Sequence, residues 1–122
     1  MDIHLLFHVQ VGISIQAAEQ MASNLGISCE VIDLRTLIPW DRAVVEESVN
    51  KTGRLLVTHE APSTAGFGAE IVAHVSKRCF LRLEVPPERV CGWDTPFPCV
   101  YESLYVPSAP RLYAAAERMM KF

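Results

Sequence analysis

Apolar positions fall into two alternating kinds of run. Residues 3 to 11, IHLLFHVQV, form a continuous apolar stretch of strand length. Residues 13 to 25 then place Ile13, Ala17, Met21 and Leu25 on one helical face, and Gly26 follows as a helix stop. CEVIDL, 29 to 34, is short, β-branched and apolar on both faces apart from its acids, which predicts a buried strand. Pro39-Trp40-Asp41 opens a second helix with Asp41 as N-cap for RAVVEESVNKT, and Gly53 ends it. RLLVTHE, 54 to 60, reads as another buried strand. Residues 65 to 79 start at glycines and carry Ile71, Val75 and Cys79 in helical register. Val90 to Trp93 reads as a short strand, 94 to 110 as an irregular Pro-rich strap or lid, and RLYAAAERMMKF as a last helix. Strands alternating with helices at this spacing predict βαβ units, a mostly parallel sheet and helices on both faces.

With 122 residues the chain suits one domain, able to bury roughly two-thirds of its unfolded surface without disulfides or metal. Half the residues are hydrophobic and 20% are charged, an apolar balance that points to burial against a partner chain. The net charge of −3 comes without any run of lysine or arginine, which argues against nucleic acid as a partner. No apolar run approaches ~18 residues, so no membrane span is expected. MDIHLLFHVQVG lacks the features of a signal or transit peptide, so no targeting segment is expected in this chain. Cys29, Cys79, Cys91 and Cys99 form no CxxC pair and lie in or beside apolar runs, where they are expected to be reduced core residues.

Candidate chemistry gathers in THEAPSTAGFGAE, 58 to 70, which follows a strand and leads into a helix. In open parallel sheets ligands sit at such carboxyl-edge turns. Gly66, Phe67 and Gly68 could form an anion-binding turn at a helix start, although neither GxGxxG nor GxxxxGK[ST] is present. His59 and Glu60 could be an acid–base pair, but neighbours on a strand face opposite ways; the competing reading makes them loop-ordering or interface residues. Ser63 and Thr64 lack a nucleophile-elbow context and are explained by turn chemistry. His4 and His8, on one strand face, would stand roughly 13 Å apart, too far to share a metal. Asp33 and Asp94 read as polar strand caps. Trp40, Trp93, Phe97 and Tyr101 are core or interface aromatics.

Three stretches, CEVIDLRTLIPWD (29–41), KTGRLLVTHEAPSTAGFGAEI (51–71) and RVCGWDTPFP (89–98), resemble the beta subunits of the thiamine-diphosphate-dependent 2-oxo acid dehydrogenases. His-Glu-Ala-Pro and Cys-Gly-Trp-Asp-Thr-Pro-Phe-Pro are more similar to the branched-chain enzymes than to the pyruvate enzymes. The resemblance covers residues 11 to 122 and implies the transketolase C-terminal-like fold: α/β, a three-layer α/β/α sandwich with a mostly parallel sheet and one antiparallel strand. It implies that the pyrimidine-binding domain lies before these residues and that the diphosphate half-site belongs to the alpha subunit. No catalytic, cofactor-binding or metal residue is then expected here, and thiamine diphosphate belongs to the parent enzyme.

The partners implied are the alpha subunit, a second beta subunit and the subunit-binding domain of the acyltransferase core. Candidate interface residues are His59, Glu60, Phe67, Trp93, Asp94, Phe97 and Phe122. Phe122 resembles, in type and place, the family's terminal aromatic carboxylate, which implies a negative docking patch. The location implied is the mitochondrial matrix in a eukaryote and the cytoplasm in a bacterium. Residues 1 to 10 depart from the family pattern, with His8 and Val9 where a glycine and a hydroxyl residue usually stand. They are read as an atypical N-terminal segment in the first-strand region, from an alternative start, an engineered segment or a divergent gene model. Two other readings stay open: a free-standing anion- or nucleotide-binding domain, and an enzyme using His59 and Glu60.

Overall fold

A computed structural model describes the backbone of residues 2–7 and both backbone and side chains of residues 10–122. The strands are β1 (Asp2–Phe7), β2 (Ser28–Asp33), β3 (Leu55–Pro62) and β4 (Glu88–Gly92). The helices are α1 (Val11–Leu25), α2 (Arg42–Thr52), α3 (Gly68–Arg78), α4 (Glu102–Tyr105) and α5 (Ala109–Met120). One sheet forms, in the order β2-β1-β3-β4. Its register pairs Leu5 with Val31 and Leu56, and Thr58 with Val90.

All three ladders are parallel, so the antiparallel strand expected from the sequence is not found among the described residues. The physical reason lies in the connections. Each of α1, α2 and α3 carries the chain back to the starting edge, so the next strand runs the same way as the last. The strap from 94 to 110 is less irregular than its composition suggested, since it holds a 3₁₀ turn at Cys99–Tyr101 and then α4. The expectation about residues 1 to 10 turns on His8 and Val9, which lie outside the described residues, as does the side chain of His4.

The three layers follow from alternation on β3. Leu56 faces a core built with Ala17 and Met21 of α1 and Leu112, Ala115, Ala116 and Met119 of α5. Leu55 and Val57 face the opposite core, with Val45 and Val49 of α2, Ile71 and Val75 of α3, Cys79 and Trp40. A side chain such as the fully buried Leu112 contributes about 1.5–3 kcal/mol through its burial. Helix ends match the sequence signals. Asp41 Oδ1 accepts from the Val44 N–H at 3.1 Å, and Gly26 and Gly53 take left-handed φ of 64° and 71° at their helix ends. Asp33 caps its strand by accepting from the Arg35 N–H at 3.1 Å. Between α2 and α3, His74 Nε2 and Glu46 Oε1 are 2.7 Å apart, with the His74 ring set edge-on to Trp40. Cys79 and Cys91 are buried as expected and Cys29 is half-buried. Cys99 is exposed, because its strap turns outward, and so departs from the expectation of a core thiol. Among the described residues no helix is long and apolar enough to cross a membrane.

Candidate functional site

The turn after β3 and the strap after β4 meet at the carboxyl edge of the sheet. The β3–β4 register shifts between His59 and Pro62, which ends regular pairing and re-aims the residues that follow. His59 stays inside, 8% exposed, while Glu60 faces outward. The two side chains have separate partners. The His59 Nδ1 lies 3.0 Å from Ala61 O, which can only accept, so Nδ1 carries the proton. Nε2 is then the acceptor for the Cys91 thiol at 3.4 Å. Glu60 Oε1 instead accepts from Gln10 Nε2 at 2.7 Å, which ties the turn to the entry of α1.

Gly66 and Gly68 make room for that imidazole. A Cβ on Gly66 would collide with Pro62 O and His59 Cε1, and one on Gly68 would stand 2.6 Å from His59 Nε2. Neither glycine has positive φ; the left-handed position in this turn is Ala65, at φ 61°. The glycines are therefore required for space and not for backbone conformation. Their bare faces, read from the sequence as a possible anion turn with Phe67, are occupied by the ring, and Glu70 puts an acid in the first turn of α3. Phe67 itself is half-buried and packs edge-on against Trp40 with ring centroids 6.3 Å apart.

Burial holds the His59 imidazole below its ordinary 6.5; the Arg89 charge acts the same way and the bond to Ala61 opposes it. Burial likewise pushes the Cys91 thiol up, so the contact is between a neutral ring and a neutral thiol and not an activated ion pair. The consequence for stability has a definite sign. On acidification the unfolded chain takes up the proton first. The contribution of the neutral ring is then fully present above about pH 6.5 and is lost as pH falls from there toward the lower folded value. Urea unfolding should show stability falling as pH drops below about 6.5, with a shallower slope in His59→Asn. An unchanged slope in that variant would remove His59 as its source.

Asp94 closes the turn from the other side. It accepts from the Thr64 N–H at 2.9 Å and from Thr64 Oγ1 at 2.6 Å. Those two bonds hold its carboxyl below the usual carboxylate range. Arg89 Nη1 donates to Ser63 O at 2.8 Å, so both hydroxyl residues of the turn are held by their surroundings, as turn chemistry would have it. The strap is fastened by Arg111, a residue the sequence did not single out. Its Nη2 donates to Cys91 O at 2.8 Å and its Nη1 to Val106 O at 3.3 Å, and its guanidinium lies 4.3 Å from the Trp93 ring centre. Trp93 Nε1 donates to Leu104 O at 3.0 Å, and Phe97 sets its ring edge-on to the buried Tyr105.

This edge turns large apolar side chains outward, among the exposed polar residues Asp94, Thr95, Glu102 and Ser103. Trp93 is 53% exposed, Phe97 54%, Val100 87%, Tyr101 64% and Leu104 71%. Phe122 is exposed at the far end of α5, beside Val85, Pro86 and Pro87. Charge near Phe122 is balanced: Lys121 pairs with Glu117 and Arg118 with Glu88. Among the described residues no group of three or more His, Cys, Asp or Glu side chains could hold a metal ion.

Comparison with known proteins agrees with this architecture. Residues 8–112 match the family model described as transketolase, C-terminal domain. The chain is 59% identical over 101 residues to the 2-oxoisovalerate dehydrogenase subunit beta 2, mitochondrial, of Arabidopsis thaliana, covering 83% of this chain and 28% of that protein. It is 50% identical over 113 residues to the 2-oxoisovalerate dehydrogenase subunit beta, mitochondrial, of Dictyostelium discoideum, covering 93% and 30%. It is 46% identical over 113 residues to the pyruvate dehydrogenase E1 component subunit beta of Leifsonia xyli, covering 92% and 33%. The chain thus spans about a third or less of the length of the curated relatives it matches. The motifs, the parallel α/β/α layers and a family match across most of the chain agree, and the chain belongs to the transketolase C-terminal domain family.

Proposed function

We propose that this chain is the C-terminal assembly domain of the beta subunit of a branched-chain 2-oxo acid (2-oxoisovalerate) dehydrogenase. Its task is to supply surface to its partners: the alpha subunit, a second beta subunit and the subunit-binding domain of the acyltransferase core. The observation that carries this reading is the strap from 93 to 105, which turns five large apolar side chains outward. Contiguous exposed apolar surface marks interaction sites, and aromatic residues are the usual anchors. The branched-chain assignment rests on the motifs at 58–71 and 89–98 and on identities of 59% and 50% to two 2-oxoisovalerate dehydrogenase beta subunits. The parent enzyme decarboxylates branched 2-oxo acids oxidatively on thiamine diphosphate and acylates a lipoyl group, in the mitochondrial matrix of a eukaryote or the cytoplasm of a bacterium.

The described residues offer thiamine diphosphate no fitting cradle. The glycine faces at 66 and 68 are filled by His59, and no cluster of metal ligands stands among the described residues. The role of His59 is to shape the turn from within, while Glu60, Trp93, Asp94, Phe97 and Phe122 remain the residues offered to partners. The test is co-purification of the chain with the cognate alpha subunit or subunit-binding domain, beside an assay of 2-oxoisovalerate with added thiamine diphosphate. Capture without turnover is expected. Turnover by the chain alone would overturn the reading.

A further inference from the structure

Along the outer edge of β4, the face of α5 carrying Arg111, Ala114 and Arg118 meets Arg89, Val90 and Trp93 around a pocket of about 310 Å³. Half of its lining residues are arginines. Arg118 pairs with Glu88. Arg89 and Arg111 donate to main-chain carbonyls, those of Ser63, Val106 and Cys91, and neither forms an ion pair among the described residues. Asp94 stands near enough to feel the Arg89 charge and offsets part of it, leaving three arginines against the two carboxylates of Glu88 and Asp94. The pocket therefore holds more positive charge than its neighbourhood neutralises.

Its geometry is also set in advance. Arg111 is held against the Trp93 ring and by two carbonyls, yet a guanidinium has five N–H donors, so donors remain. Arg118, two helical turns on, is mostly exposed and able to reorient. Guanidinium donors suit the oxygens of phosphate and carboxylate, and the Trp93 indole lines the pocket beside them. The volume lies at the small end for ligand pockets, enough for a small molecule.

We propose that this pocket binds a small organic anion through one phosphate or carboxylate group, with Arg111 and Arg118 as its ligands and Trp93 beside them. The site lies beside the turn around His59, which Arg89 joins through Ser63 O, and it shares Trp93 with the strap surface. Because Arg111 also fastens the strap, the informative variants are Arg118→Gln and Glu88→Gln. The first removes a ligand from an exposed position. The second releases Arg118 from its competing carboxylate.

The experiment is a heteronuclear magnetic resonance titration of the labelled 122-residue chain. Inorganic phosphate is added in one arm and glutarate in the other, with chloride keeping ionic strength constant. Saturable shifts of the Trp93 indole N–H and of the Arg111 and Ala114 amides are expected, and the tighter arm identifies the preferred head group. Arg118→Gln should weaken binding about tenfold, and Glu88→Gln should tighten it about twofold to fivefold. Linear, unsaturated shifts in both arms would overturn the proposal. So would saturation that neither variant alters.

Discussion

Alanine at Gly68 should destabilise the domain by about 1–3 kcal/mol, and most of that loss should disappear when His59 is also alanine. The close neighbours of a Cβ at this position are Nε2 and Cδ2 of His59, at 2.6 and 2.9 Å, with Val57 Cγ1 farther off at 3.1 Å. Removing the ring removes the first two. Gly66 should behave differently. Its Cβ would meet Pro62 O as well as His59 Cε1, and main chain cannot swing away as a side chain can. Gly66→Ala should therefore cost at least as much, and His59→Ala should recover only part of it. Urea denaturation of the two cycles reads out both interaction energies. Purely additive losses at Gly68 would mean that the glycine serves something other than the ring, and the space-filling account of the turn would fail.

The second large effect is expected at Arg111. Arg111→Met keeps much of the stem volume but deletes two hydrogen bonds and the stacking on Trp93. The Cys91 carbonyl is left behind a buried residue without its partner. Leaving a buried acceptor unmade costs about 1–3 kcal/mol, and the cation–π contact adds about 0.5–2 kcal/mol. A total of about 1.5–5 kcal/mol in urea unfolding is expected, with amide exchange speeding up most from Trp93 to Val106. Arg111→Lys should rescue little, since an ammonium cannot bridge two carbonyls while stacked flat on an indole. Near wild-type stability in Arg111→Met would show that the strap is held by Tyr105 and Leu104 alone.

The layered fold was legible in the sequence because its cues are local. Continuous apolar runs marked the strands, Gly26 and Gly53 ended helices with the φ their positions need, and Asp41 capped the helix it precedes. The site was legible only in part. That His59 and Glu60 face opposite ways follows from the two-residue repeat of a strand. That Gly66 and Gly68 serve a side chain seven and nine positions upstream does not, because a glycine needed for space and one needed for conformation look the same in sequence. Ala65, which takes the left-handed φ, carries no such mark at all. Arg111 was missed for a related reason. Its partners Cys91 and Trp93 belong to another element, and an arginine in the first turn of a helix carries no local signal of a long-range clasp. The antiparallel strand was expected from family resemblance and not from any residue pattern, and it was there that the expectation departed from the described sheet.

In the proposed assembly role the strap carries most of the surface offered to partners. Sedimentation velocity of the chain mixed with its cognate alpha subunit, or with the subunit-binding domain of the acyltransferase, tests that role directly. The comparison is with the Val100→Asp/Leu104→Asp double variant, whose two positions are 87% and 71% exposed and should leave the melting temperature unchanged. The account predicts a stable complex with at least one partner and a loss of affinity of about tenfold or more in the variant. No complex with either partner, or a variant that binds as tightly as the parent, would contradict it.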